Sequence, residues 1–364
     1  MQLRDDILDF SPYSPGLSID EIKEKYNLTN VIKMASNENP LGISPIVEEV
    51  LKKYASFGFR YPRSGNLELV KKIFKKFHIP EKNIVIGNGS DEIIDILIRI
   101  ICTSYRDNVV VFDPSFSIYR IQAKFHGIEV KFVPLNNDFS FNFEQMLELI
   151  DSHTKMIFIT NPDNPSGYTV LSEEIINFVD LVPSSVIVIV DEAYVEFCDD
   201  PEQVTCIKEV LKRDNLCVLR TFSKIYGLAG LRVGYGILPE LLADYFYRVR
   251  LPFSVNILAE RAAISVLDDE NYVELTRNTI ICGRRYLTDR LTSLGCYVYP
   301  SQANFIMFKP PMDANKVFEG LLKQGVIIRP LKSYGLKDYL RVSIGREDEN
   351  RIFISALKKV LREE

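Results

Sequence analysis

Histidine is scarce in this chain of 364 residues: His78, His126 and His153 lie far apart, with no ligand-like spacing. A zinc site needs clustered imidazole, thiolate or carboxylate ligands, so none is expected. The six cysteines are scattered, with no Cys-x-x-Cys pair and no disulfide framework. No apolar run reaches the ~20 residues of a membrane-spanning helix. The opening residues, Met1-Gln2-Leu3-Arg4-Asp5-Asp6, are too acidic and too polar for a signal peptide. A reducing, cytoplasmic setting is therefore expected, with no membrane partner. Positive charge is in no excess: 44 lysines and arginines stand against 49 aspartates and glutamates. The net charge of −5 argues against non-specific binding to nucleic acid. No internal repeat and no low-complexity stretch is found.

What the chain does have is hydrophobic content, 46%, and a length that is large for a single core. Two domains are expected. Between about residues 84 and 238, β-branched apolar runs alternate with helical patterns. Strand starts are expected at Ile84, Val109, Val130, Met156, Val186, Leu216 and Val233. Strands alternating with helices make an α/β fold with a mostly parallel sheet and helices on both faces. Residues 240–285 read as helical, broken near Leu251-Pro252-Phe253, and a long helix there would link two domains. Residues 286–364 mix helix and strand signals, as in a smaller α+β domain. Pro12, Pro15 and Gly16 disfavour one continuous helix near the start. The expected division is an arm over 1–30, a large domain over 31–245 and a small domain over 246–364.

Four motifs carry chemistry. Lys224, in Thr221-Phe222-Ser223-Lys224, follows the apolar run Leu216-Cys217-Val218-Leu219 and precedes Gly227, Gly230 and Arg232. A lysine leaving a buried strand is desolvated, which lowers its pKa and makes its amine a usable nucleophile. The hydroxyls and the arginine beside it suit a phosphate ester. Pyridoxal phosphate, an aldehyde that also carries a phosphate, would use all of these groups. Asp191 and Tyr194 follow a run of five β-branched residues, Val186 to Val190, at the strand end where open α/β sheets bind ligands. Asn164 lies in a turn rich in Asn, Pro and Gly, Asn161 to Gly167. Ile84 to Glu92 reads as strand, glycine turn and helix start, with Ser90 expected as N-cap and free backbone N–H groups for a phosphate. Its glycines are not spaced as in a dinucleotide site.

In this order, the phosphate turn, Asn164-Pro165-Ser166-Gly167, Asp191 to Tyr194, the serine–lysine segment and Arg232 resemble the class I and II, fold-type I aminotransferases that depend on pyridoxal phosphate. The resemblance spans nearly the whole chain. Within that group, five segments are similar to the branch that acts on histidinol phosphate: Ser11-Pro12-Tyr13, Ala35 to Gly42, Arg60-Tyr61-Pro62, Ala303-Asn304-Phe305 and Leu340 to Gly345.

The resemblance implies a role for each matching residue. Lys224 would hold the cofactor's aldehyde and then move the substrate proton. Asp191 would bind the pyridine nitrogen, and Tyr194 and Asn164 the ring hydroxyl. Ser90, the backbone of Asp91, Thr221, Ser223 and Arg232 would hold the phosphate. Phe116 would stack on the ring, where many relatives carry Tyr or Trp. Tyr61 would reach the cofactor phosphate of a neighbouring subunit, making the enzyme a homodimer. Arg341 would grip the carboxylate of glutamate or 2-oxoglutarate, and with Arg329 and Tyr13 the phosphate of histidinol phosphate. Asn37 would join the substrate site. The implied activity is transfer of an amino group between L-histidinol phosphate and 2-oxoglutarate in histidine biosynthesis. An aromatic-amino-acid aminotransferase and a phosphothreonine decarboxylase of the same fold are the alternatives.

Overall fold

In the computed structural model, which describes residues 17–362, a seven-stranded sheet carries the centre of the chain. Its strands are β1 (Ile84–Gly87), β2 (Asn108–Asp113), β3 (Glu129–Pro134), β4 (Thr154–Thr160), β5 (Ile187–Asp191), β6 (Leu216–Thr221) and β7 (Gly234–Ile237). They lie in the order β1-β7-β6-β5-β4-β2-β3, all parallel except β7, which is antiparallel to both neighbours. Each strand start expected from the sequence falls within two residues of one of these.

The reason is burial on both faces. Alternate residues of one strand enter opposite cores: Val188 and Val190 on one side, Ile189 on the other. Val218 likewise opposes Cys217 and Leu219. Helices α1 (Gly89–Ile101) and α2 (Ile118–Phe125) cover one face, and Ser172–Leu181 covers the other. Continuous β-branched runs are what a strand covered on both sides requires. The carboxyl ends of β4 and β5 then lie side by side, with Thr160 the partner of Asp191.

The helical stretch after the sheet is three helices: α3 (Glu240–Val249), α4 (Ile257–Val266) and the long α5 (Glu270–Ser293). The expected break falls between α3 and α4, where Pro252 precedes Phe253 at φ +61°. Beyond α5 lies a four-stranded antiparallel sheet made of β8 (Tyr297–Val298), β9 (Phe305–Lys309), β10 (Arg329–Pro330) and β11 (Leu340–Ser343), in the order β10-β11-β9-β8. With its helices it forms the smaller α+β part. Ile32–Lys33 pairs in parallel with Val326–Ile327. Ile22, Ala35, Leu322 and Ile327 form the apolar cluster that secures this pairing.

Candidate active site

One pocket forms at the carboxyl ends of the central strands, lined by Ser90, Asp91, Phe116, Thr160, Asn164, Asp191, Ala193, Tyr194, Thr221, Ser223, Lys224, Ala229 and Arg232. Lys224 reaches it from the turn after β6. Phe222, Ile225 and Tyr226 are all buried, which pins the turn. Backbone bonds from Leu228 to Phe222 (2.9 Å) and from Gly227 to Lys224 (3.1 Å) close it. The amine stands 5.6 Å from the Tyr194 ring centre. Burial, reinforced by the Arg341 charge, pulls its pKa from 10.5 to about 8, against the pull of Glu38 and Asp91.

The phosphate-type donors surround the amino end of α1. Gly89 has φ +71°, and a Cβ there would sit 2.7 Å from the Arg232 guanidinium. A Cβ on Gly234 would sit 2.7 Å from the Ser90 nitrogen. The backbone contact at Gly234 and the positive φ at Gly89 both call for glycine in this cradle. Arg232 itself has φ +56°, a conformation sustained by the Gly89 N–H bond to its carbonyl (3.1 Å). Its guanidinium donates to Ala229 O (3.1 Å) and to the Asp91 carboxylate (3.2 Å). The Thr221 hydroxyl accepts the Ser223 N–H at 3.1 Å. Ser90 is not the N-cap expected from the sequence. Asn88 occupies that position, and Glu92 folds back to accept its N–H at 2.6 Å. Ser90 therefore lies in the first helical turn, on the pocket wall.

Asp191, 3% exposed, accepts the Ala193 N–H at 3.1 Å and the Tyr119 hydroxyl at 2.9 Å. Burial raises its pKa to about 6, opposed by those two hydrogen bonds. The Tyr194 oxygen accepts from Asn37 Nδ2 at 3.1 Å, and its ring packs edge-on against Phe305. Asn164 is aimed by its turn, in which the buried Asp163 carboxylate accepts from both Ser166 N (3.0 Å) and Ser166 Oγ (2.5 Å). Arg341 donates to the Asn164 oxygen and to the Ala35 carbonyl (3.2 Å), and lies over the Phe305 ring at 5.0 Å. Its Nε is buried with no partner. An orphaned guanidinium N–H in a buried site calls for an anion. Asn37, with φ +56°, also bonds Ser343, and its carbonyl accepts from Asn304 Nδ2 at 3.0 Å.

Ser90, Asp91, Phe116, Asn164, Asp191, Tyr194, Thr221, Ser223, Lys224 and Arg232 thus share one pocket, with Asn37 and Arg341 bonded to its wall. Two of the expected residues stand apart. Tyr61 is 80% exposed and stacked on Phe253 at 4.8 Å. Arg329 is the cross-strand partner of Arg341 but does not line the pocket. Tyr13 lies outside the described residues. Sequence reasoning missed Thr160, Ala193 and Ala229 on the pocket wall, and Tyr119 and Ser343 behind it. The available signals were slight: Thr160 ends an apolar strand, and Tyr119 lies three residues beyond Phe116.

The donor set fits a phosphorylated pyridine aldehyde. It holds an amine with a lowered pKa, a buried carboxylate, the hydroxyls of Ser90, Thr160, Tyr194, Thr221 and Ser223, a guanidinium and a helix start approached closely by two glycines. Residues 29–357 match the family model described as aminotransferase class I and II. The chain is 51% identical to the histidinol-phosphate aminotransferase of Nitratidesulfovibrio vulgaris, over 99% of this chain and 96% of that one. A solved histidinol-phosphate aminotransferase from Clostridium acetobutylicum superposes with a TM-score of 0.85 at 29% identity, covering 92% of this chain and all of that one. Another, from Sinorhizobium meliloti in complex with pyridoxal-5'-phosphate, gives 0.87 at 24% identity, covering 98% of each.

Proposed function

This chain belongs to the class I and II aminotransferases, and we propose that it exchanges an amino group between L-histidinol phosphate and 2-oxoglutarate, forming imidazole-acetol phosphate and L-glutamate, with pyridoxal phosphate as cofactor. Such an enzyme serves histidine biosynthesis in the cytoplasm. The observation that carries this is the meeting of the Lys224 amine, the Asp191 carboxylate and the phosphate-type donors in one pocket.

When bound, pyridoxal phosphate supplies an aldehyde that takes up the amino group and a ring that draws electrons from the substrate carbon. Ser90, Thr221, Ser223, Arg232 and the N–H of Asp91 would hold its phosphate. Phe116 would stack on the ring. Asp191 would keep the ring nitrogen protonated. The Tyr194 oxygen already accepts from Asn37, so its own proton is left for the ring hydroxyl. Lys224, with a pKa of about 8, has a neutral fraction near neutral pH that can act as nucleophile and as base for the substrate's carbon-bound proton.

Arg341 offers its unpartnered Nε to the substrate anion. Arg329 stands opposite it in register, and like charges so placed repel unless an anion lies between them. A phosphate dianion supplies that charge, with Tyr13 of the 1–30 arm as a further ligand. The large domain would span about residues 31–245 and the small domain 246–364. Tyr61, Phe59 and Leu251 are 80%, 76% and 67% exposed, apolar side chains that a second copy would cover, receiving Tyr61 at its cofactor phosphate.

Half-reactions with histidinol phosphate, phenylalanine and phosphothreonine, followed by cofactor absorbance, test the substrate. Histidinol phosphate is expected to react fastest. A preference for phenylalanine would make the protein an aromatic-amino-acid aminotransferase, and CO2 release from phosphothreonine would make it a decarboxylase.

A further inference from the structure

We propose that Tyr119, behind the pocket on α2, is a positioning residue that keeps Asp191 ionised, so that the proton between Asp191 and the cofactor's ring nitrogen stays on the ring. This rests on the cofactor assignment made above. Tyr119 is 1% exposed, and its hydroxyl lies 2.9 Å from Asp191 Oδ2 and 2.8 Å from Thr160 Oγ1. A phenol has one proton and an ionised carboxylate only accepts. Tyr119 therefore donates to Asp191, and Thr160 donates to Tyr119. Thr160 and Asp191 are direct partners on β4 and β5, so the relay crosses neighbouring strands. The Tyr119 ring is fixed by stacking on Phe158 at 4.6 Å and by edge contact with Phe116 at 5.5 Å. It thus braces both the residue that would stack on the ring and the residue that would bind its nitrogen.

The groups that act on Asp191 oppose one another. Burial and the nearby carboxylates of Asp91, on α1, and Glu192 favour its protonated form. The Tyr119 hydroxyl leads the groups that favour the anion, followed by the Ala193 N–H. The buried Tyr194 hydroxyl faces the same carboxylate and feels its charge. A hydrogen bond donated to a carboxylate stabilises its charge. Without it, Asp191 gains proton affinity, the shared proton moves to the carboxyl group, and the ring loses the charge that makes it an electron sink.

The test uses protein loaded with pyridoxal phosphate labelled with nitrogen-15 in the ring. In wild type, NMR is expected to find the ring nitrogen protonated. Tyr119→Phe keeps the ring and its packing, and is expected to move the signal toward the unprotonated position while slowing the half-reaction about tenfold or more, the worth of one charge-assisted hydrogen bond. Thr160→Val should move the signal the same way by less. In an Asp191→Asn background, adding Tyr119→Phe should cost nothing further, because its target is gone. An unmoved signal in Tyr119→Phe, or an equal rate loss in the Asp191→Asn background, would overturn the relay alone. Failure of the wild-type protein to take up the cofactor would overturn the proposed function and the relay together.

Discussion

Lys224 illustrates how a single residue's surroundings set its chemistry. Its ordinary pKa of 10.5 falls to about 8 chiefly through burial. Between those values the unfolded chain binds the extra proton, so this group's contribution to stability rises with pH. Below about pH 8 the folded protein carries a buried ammonium at a cost. Lys224→Met is therefore expected to stabilise the cofactor-free protein at pH 7 by about 1–3 kcal/mol. The gain should shrink as the pH rises toward 10.5, as urea unfolding curves would measure. A gain independent of pH would show that the amine is not desolvated. The two arginines make a second prediction. Arg329→Ala should weaken histidinol phosphate about ten- to a hundredfold while sparing glutamate, because only a phosphate needs the second cation. Arg341→Gln should weaken both. Equal losses in Arg329→Ala for the two substrates would remove Arg329 from the phosphate site.

At the scale of elements, the site depends on close approach between β7 and the start of α1. A Cβ on Gly234 would meet the Ser90 nitrogen at 2.7 Å and the Gly89 carbonyl carbon at 2.8 Å, and backbone cannot swing aside as a side chain can. Gly234→Ala is expected to cost about 1–3 kcal/mol and to weaken cofactor uptake as the cradle is pushed open. Unchanged melting and cofactor affinity would mean that the cradle is not needed. The elements themselves were legible, because a strand buried on both faces writes a continuous run such as Val186 to Val190. The cap of α1 was not. Ser90 has the right chemistry for an N-cap, but Glu92 reaches back to Asn88, a competition between neighbouring side chains that residue type alone does not decide. Pairings between remote segments were equally hidden. Asn37 meets Tyr194 across 157 positions and Arg341 meets Asn164 across 177, contacts that exist only once both sheets have formed. Motif order grouped these residues into one expected site, whereas Tyr119 lay outside any motif and Thr160, at the end of the apolar run before Asn161, was given no role.

Over the whole molecule, the pocket gathers its groups from the amino end of α1 and the ends of β4 to β6, with Arg341 of the smaller sheet bonded to its wall, while Tyr61 remains on the surface. If Tyr61 serves a partner's pocket, inactive Lys224→Ala and Tyr61→Ala chains, unfolded and refolded together, should regain part of the activity, up to about a quarter of wild type for random pairing with one intact site per hybrid. A confirmed hybrid dimer without activity would place Tyr61 outside the partner's site. The claim on which everything else depends is that Lys224 carries the cofactor. Borohydride treatment of the yellow, loaded protein, followed by digestion and mass spectrometry, tests it directly. A phosphopyridoxyl group on the peptide containing Lys224 is the expected result. Its presence on another lysine, or its absence from the protein, would contradict the account.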